Sequence, residues 1–376
     1  MLHLIYRQFL YDPARTLFTC LAIAAVIGLI LLLGGFQQGL YEQLRATVMN
    51  RGADLILAQS GVANFIATRS IIPQLIRLDV ESVEGVKNAY PLTSISAIYR
   101  KDGRKNPVYI FVYDKKGGPT SLVDGGHIDE PREIIIDRAL AGIYDLSIGD
   151  PFVLTDFKFT VAGISKNSAA FFTPFAYIEF DDLIDFYMES DIAADITTFP
   201  LLSYLLVELE EGADRNKIAQ SIENNIPDVD VFKPETLAEN DIKLGRELFG
   251  PVLNLLLSIG YVVGLLAVCI IMFTIIHARK RSLAVMRALG FSNAGTAILV
   301  AMETAILILM AFPLGMIIAW LTGLFISWIA PLYLVLPLDI IILLRTFFAC
   351  VVLSILGALL AMYLVSRIEP DIAFKS

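Results

Sequence analysis

The sequence predicts an α-helical membrane protein with four transmembrane helices and a large α+β extracytoplasmic domain between helices 1 and 2. Three observations predict it. The 376 residues are 56% hydrophobic and 18% charged, and the mean hydropathy is +0.67, outside the range of an ordinary soluble domain. Four uncharged apolar runs, Leu17–Phe36, Phe249–Ile276, Thr304–Trp328 and Thr346–Ser366, each reach the roughly 20 residues that a helix needs to cross about 30 Å of hydrocarbon. Charge is segregated between them. Arg51 to Arg246 holds 31 acidic and 19 basic residues, a net −12 in a chain whose total is −9, which leaves the remainder mildly basic.

Taken in order, residues 1–16 form a basic, amphipathic cytoplasmic helix with Arg7 and Arg15, and residues 17–50 form the first span and its extension. Phe36, Leu40, Leu44 and Val48 keep an i, i+4 stripe past the apolar run, so the helix is expected to continue outside as a stem. The open alternative is an amphipathic helix lying on the membrane surface.

Residues 51–235 form the extracytoplasmic domain. Strands are expected at Asp54–Ala58, Ser94–Tyr99, Val108–Tyr113, Glu133–Ile136, Phe152–Val161 and Tyr204–Leu209, all rich in Ile, Val, Tyr and Phe. One helix starts at the N-cap Asp214, carries Ile218, Ile222 and Ile226, and stops at Pro227; another starts near Asp137 and carries Leu140, Ile143 and Tyr144. This mixture is α+β and divisible into two lobes. Cys20, Cys269 and Cys350 all fall within spans, so disulfides cannot hold the outer domain.

Residues 236–277 form the second stem and span, with Leu237, Leu244 and Leu248 at heptad-like spacing ahead of Pro251. A cytoplasmic link at 278–292, the third span at 293–328, an outer loop at 329–340, the fourth span at 341–366 and a tail at 367–376 complete the chain. Arg279, Lys280, Arg281 and Arg287 in the link, and Arg367 and Lys375 in the tail, place both termini in the cytoplasm by the excess of basic residues in short inner segments.

Few residues suggest chemistry. No Gly-x4-Gly-Lys-Ser/Thr loop is present, so the chain is not expected to hydrolyse ATP. No catalytic or metal-ligating set is expected either. His127 is the only histidine of the outer segment, and a weak enzyme reading would pair it with Asp124 or Asp129. The acidic stretch Glu179, Asp181, Asp182, Asp185, Glu189, Asp191 and Asp195 lacks the spacing and glycine of a calcium loop, and reads as a helix with a solvated acidic face. Phe171, Phe172, Phe175 and Tyr177 form an aromatic run that is either a buried strand entry, the favoured reading, or a contact for lipid, cargo or a partner. Phe36 and Leu40 are further candidate contacts. Glu303 is either a functional acid at membrane depth or an interfacial group paired with a base such as Arg287, and Arg345 can snorkel to the headgroups. In the link, Leu283, Met286, Leu289 and Gly290 fall near one helical face beside the basic residues, which fits a short amphipathic helix at the inner surface. Composition alone would equally describe a topological anchor.

Met286-Arg287-Ala288-Leu289-Gly290 after the basic run, and Glu303 entering the next helix, resemble the cytoplasmic loop and third helix of the FtsX/MacB-like permeases of ABC transporters. Gly52-Ala-Asp-Leu-Ile-Leu, Val161-Ala-Gly-Ile and Arg367-Ile-Glu-Pro-Asp-Ile-Ala extend the similarity over nearly the whole chain. Two departures occur: Ser282 replaces the acid usual in the loop, and Leu283 stands for the usual Ile. The resemblance is closest to four-span exporters of the MacB-like and DevC-like type. It implies a coupling helix over Arg279–Leu289 and a homodimer in the bacterial inner membrane. It also implies a separate cytoplasmic ATPase that carries the ATP and magnesium, with no cofactor in this chain. A periplasmic adaptor and an outer-membrane channel are further partners of such systems; nucleic acid is not. The expected cargo is hydrophobic or amphipathic: a lipid, lipopeptide, drug or haem. The alternative is an FtsX-like mechanotransmission scaffold that transports nothing and regulates an outer partner.

Overall fold

The computed structural model describes residues 13–66, 68–154, 156–166, 169–170, 173–189, 201–278, 285–286, 289–290 and 292–366. In chain order its elements are α1 (Pro13–Met49), β1 (Leu55–Gln59), β2 (Ile72–Pro73), α2 (Ile76–Glu81), β3 (Val86–Lys101), β4 (Arg104–Tyr113), β5 (Leu122–Gly125) and β6 (Glu133–Asp137). They continue with α3 (Arg138–Tyr144), β7 (Pro151–Leu154), β8 (Phe157–Ser165), β9 (Ala169–Ala170), β10 (Thr173–Glu179), α4 (Phe180–Glu189), β11 (Leu201–Leu202), β12 (Tyr204–Leu209), α5 (Arg215–Asn225) and β13 (Val229–Phe232). The long helices α6 (Pro234–Ala278), α7 (Asn293–Ile329) and α8 (Ile340–Ser366) close the chain. Two compact units result.

The first unit takes the chain up to Gly39, then Gly250–Trp328, then Val335 onward. Cys20, Ile23, Ala24, Ile27 and Leu31 of α1 are buried against Leu307, Ile308 and Ala311 of α7 and Ile342 and Cys350 of α8. That i, i+3, i+4 stripe is one helical face, and Leu17, Phe18, Leu21 and Leu29 on the other face are exposed, as expected of a helix whose outer side meets lipid. Small residues allow close approach. A Cβ at Gly315 would lie 2.7 Å from the Ile27 side chain. Helices α1, α6 and α7 are long and apolar enough to cross a membrane. The fourth predicted span is not established, because the described apolar stretch of α8 is shorter, Ile340–Leu356.

The second unit comprises Leu40–Phe249 with Ile329–Leu334. Its main sheet runs in the order β13-β1-β12-β3-β4-β10-β6-β8-β5, with β7 on β8 and β9 on β10. β10 is parallel to β4 and β6 to β8, and the other pairs are antiparallel. Alternation along the strands sorts the side chains into layers. Leu55, Leu57, Leu205 and Val207 pack with Val80 of α2 and Ile218 and Ile222 of α5. Ile110, Val112, Ile134, Ile136 and Ile178 pack with Leu140 of α3 and Leu183 and Phe186 of α4. These are the two lobes. The intervening residues, Ile56, Leu92, Phe111, Tyr113, Phe175, Tyr177, Tyr204 and Leu206, form one aromatic layer with Leu44 and Val48 of α1 and Leu237 and Ala238 of α6.

The expected helix starts are present: the Asp214 carboxylate accepts from Asn216 N at 2.9 Å, and Asp137 accepts from Ala139 N at 2.7 Å. Three expectations change. Phe152–Val161 is a hairpin, Phe152 pairing with Phe159, because Asp156 lies at a turn between two short alternating runs. The second strand is longer than Ser94–Tyr99; β3 starts at Val86 and reaches β4 through Asp102 (φ 52°) and Gly103 (φ 76°), the left-handed pair that a two-residue hairpin needs. On the return stem the buried positions are Leu237, Ala238, Asp241 and Gly245 rather than a leucine heptad, and Leu248 is exposed.

Candidate functional site

The link between the second and third long apolar helices begins where α6 ends at Ala278. Arg279, Lys280, Arg281, Leu283, Arg287 and Ala288 lie outside the described residues. Val285 and Met286 are helical, Leu289 N donates to Val285 O at 3.0 Å, and Gly290 follows with φ 96°. A left-handed glycine after the last helical hydrogen bond is an ordinary helix stop. Ser292 then starts α7, its hydroxyl accepting from Gly295 N at 3.0 Å, the bond of an N-cap to N3. The apolar side chains on this turn are not packed away: Leu289 is 77% exposed and Val285 is exposed.

Above it, Glu303 and Thr304 of α7 are buried, and Thr304 Oγ1 donates to Val300 O. Glu303 is therefore inside the helix packing rather than at a solvated end. Arg345 of α8 is exposed and its Nε donates to Tyr261 Oη at 3.2 Å. A polar pair that the sequence did not reveal joins α1 to α6, with Gln37 Nε2 donating to Asn254 Oδ1 at 3.0 Å.

The proposed aromatic contacts divide. Phe36 is half-buried, but Leu40 and Phe175 are buried and available to no cargo in this structure. Phe175 fails as a surface contact because it occupies an inward position of β10 and meets Phe111 edge to face, centroids 5.0 Å apart. Phe171 and Phe172 lie outside the described residues.

Around Phe111 lies a group whose role sequence reading missed. Arg51, two residues beyond the end of α1, is buried; its Nε donates to Thr47 O at 2.8 Å, Nη1 to Gly117 O at 2.5 Å and Nη2 to Tyr177 Oη at 3.3 Å. The guanidinium also lies 4.7 Å from the Phe111 centroid and 5.4 Å from that of Tyr177. On α6, Asp241 is fully buried. Its Oδ1 accepts from Phe65 N at 2.9 Å and Asn64 Nδ2 at 3.2 Å, and neighbouring Asn240 donates to Ala63 O at 3.0 Å. Helix α6 and the segment just past the end of α1 are thus hydrogen-bonded to the sheet or its loops.

The acidic helix α4 turns one carboxylate inward. Asp182 is buried and accepts from Arg132 N at 2.7 Å; burial, with Asp185 and Asp181 nearby, pushes its pKa up against that hydrogen bond. Glu189 and Asp185 on the same helix pair with Arg132. No group of three or more potential metal ligands occurs among the described residues. His127, Asp124 and Asp129 are all exposed, and no hydrogen bond joins His127 to either acid.

Two family descriptions match the chain. The MacB-like periplasmic core domain covers residues 16–225, and the FtsX-like permease C-terminal region covers residues 254–370. Among curated proteins, uncharacterized ABC transporter permeases from two strains of Mycobacterium tuberculosis are 25% identical over 171 residues, 45% of this chain and 48% of theirs. The chain thus spans about half the length of the curated relatives it matches. Among solved structures, the extracellular domain of the ABC-type transporter YknZ from Gram-positive bacteria aligns with 48% of this chain and 100% of its own, at 15% identity and a TM-score of 0.35. The periplasmic region of MacB from Actinobacillus actinomycetemcomitans aligns with 51% of this chain and 94% of its own, at 11% identity and a TM-score of 0.36.

Proposed function

We propose a function on one premise: the chain belongs to the ABC transporter permeases with a MacB-like periplasmic core domain and an FtsX-like C-terminal region. It acts as the permease subunit of an exporter in the bacterial inner membrane, with both termini inside, in a dimer served by a separate cytoplasmic ATPase. The residues 279–290 lodge in that ATPase. ATP-driven closure moves them, and the long helices relay the movement to the outer domain, where a hydrophobic or amphipathic cargo is extracted or expelled.

The observation that carries this reading is the turn ending at Gly290, with Leu289 and Val285 exposed at the end of a basic segment too short to be a domain. Two apolar side chains of this size, buried in a partner, contribute about 3–5 kcal/mol, enough to seat a small helix when basic residues flank it. The membrane part also favours a mechanical path: the core where α1 meets α7 and α8 is apolar and supplies little to line an aqueous pore.

The test is co-purification with cytoplasmic ABC ATPases from the source cells, comparing the parent with Arg287→Glu combined with Leu289→Asp. Recovery of the ATPase is expected to fall at least tenfold in the double variant, with the permease still in the membrane. Equal recovery, or ATP hydrolysis indifferent to the variant, refutes the coupling role. A regulatory scaffold without cargo would pass this test and then show a stable outer partner enzyme with no substrate movement in vesicles.

A further inference from the structure

The outer domain contains a cleft that the proposed relay does not use. Pairing between β12 and β3 ends at Tyr204↔Leu92, and beyond that point the two chain segments part. Leu201–Leu202 turns away to pair with Ile72–Pro73, while the Ser203 hydroxyl takes the place of a strand neighbour and accepts from Ser94 N at 3.1 Å. The parting opens a cavity of about 440 Å³ between β3, α4 and residues 65, 66 and 68–71, within the range of small-molecule sites.

Among the described residues that line it, Thr68 and Ser96 are exposed and bear hydroxyls, Phe65 and Leu183 supply apolar wall, and Arg69 carries the one charge. Arg69 is exposed and takes part in no ion pair among the described residues. Hydroxyls can both donate and accept, so they match the hydroxyls of a ligand, and a free guanidinium fork matches phosphate or carboxylate.

We propose that this cleft binds a small polyhydroxylated anion, with Arg69 on its phosphate or carboxylate and Thr68 and Ser96 on its hydroxyls. Phe65 and Leu183 pack against its carbon skeleton. The same chemistry is carried by a free sugar phosphate and by the head group of an anionic glycerolipid. The assignment is independent of the ATPase relay, since it concerns binding by the outer domain alone.

The experiment uses the full chain in phosphatidylcholine nanodiscs and titrates glucose 6-phosphate by calorimetry, with glucose as the neutral control. A second arm compares hydrogen exchange at residues 68–71 and 93–96 in phosphatidylcholine and phosphatidylglycerol nanodiscs. Saturable binding of the sugar phosphate assigns a soluble ligand; protection by phosphatidylglycerol alone assigns a lipid head group. In either arm Arg69→Gln is expected to weaken binding at least tenfold, and Ser96→Ala about fivefold. Both variants are expected to unfold at the parent temperature, because Arg69 and Ser96 are exposed. Absence of a response in both arms, equal binding of glucose, or binding unchanged by Arg69→Gln overturns the proposal. These outcomes leave ATPase recruitment through Leu289 unaffected, so the two readings fail separately.

Discussion

Replacing Arg51 with methionine tests whether the first long helix is locked to the outer sheet. Methionine keeps most of the aliphatic volume between the Phe111 and Tyr177 rings and removes the fork. Three hydrogen bonds are lost, to Thr47 O, Gly117 O and Tyr177 Oη, each worth about 1.5–3 kcal/mol for a charged donor. Against this, the parent holds a cation that is 3% exposed and has no carboxylate partner among the described residues, at a desolvation cost of several kcal/mol. The difference is a net loss of about 2–4 kcal/mol. For a domain of this size that is a fall in Tm of about 6–12 °C, read by intrinsic fluorescence of the full chain in detergent. Hydrogen exchange should accelerate most at residues 47–51 and 113–118. Arg51→Lys should lose nearly as much, because an ammonium cannot span three separated acceptors. A methionine variant within about 0.5 kcal/mol of the parent refutes the lock, and a fully tolerated lysine shows that charge rather than the fork matters.

Asp182→Asn keeps the oxygen that accepts from Arg132 N and removes a carboxylate whose pKa is raised by burial. A raised folded pKa means that the folded chain binds more protons than the unfolded one. The parent's stability contribution is therefore complete below the ordinary aspartate range and is lost as pH rises through the folded pKa. Thermal scans from pH 4 to pH 8 should show the variant gaining on the parent towards pH 8, and parallel curves would sink the argument. In the membrane unit, a Cβ at Gly35 would lie 2.6 Å from Pro337 N and Cα, whereas one at Gly34 meets only the Ile342 side chain at 3.0 Å. Gly35→Ala should cost about 1–3 kcal/mol of stability in detergent and Gly34→Ala less; equal effects would contradict the backbone contact.

Legibility in the sequence followed the range of the interactions. Tyr204–Leu209 is a strand with the expected bounds, and Asp214 and Asp137 cap the expected helices, because alternation and capping are settled within a few residues. The preference for a buried strand at Phe175 agrees with the structure for the same reason. Arg51 reads as an ordinary polar residue after a membrane helix, since its partners Gly117 and Tyr177 lie 66 and 126 residues away. Asp241 and Gly245 were hidden by a leucine pattern that looked like a heptad. Their burial depends on Phe65 N and on the close approach of Leu44, which no local period encodes. The cleft at Thr93 was equally invisible, as it exists only because β12 leaves β3 at one register position.

These long-range contacts bear on how force could travel. Helix α1 has 37 residues, about 55 Å at 1.5 Å per residue, and its apolar run accounts for little more than half of that. The rest carries Leu44 and Val48 into the aromatic layer, and Arg51 ties the segment just past its end to Gly117. Helix α6 is also packed on the sheet through Leu237 and held through Asp241, but Pro251 lies within it and provides no N–H for the carbonyl of Glu247. A helix missing one such bond bends more readily there. The two helices thus differ locally: an arginine just past the end of α1 is hydrogen-bonded to Gly117 and Tyr177, whereas α6 contains a proline.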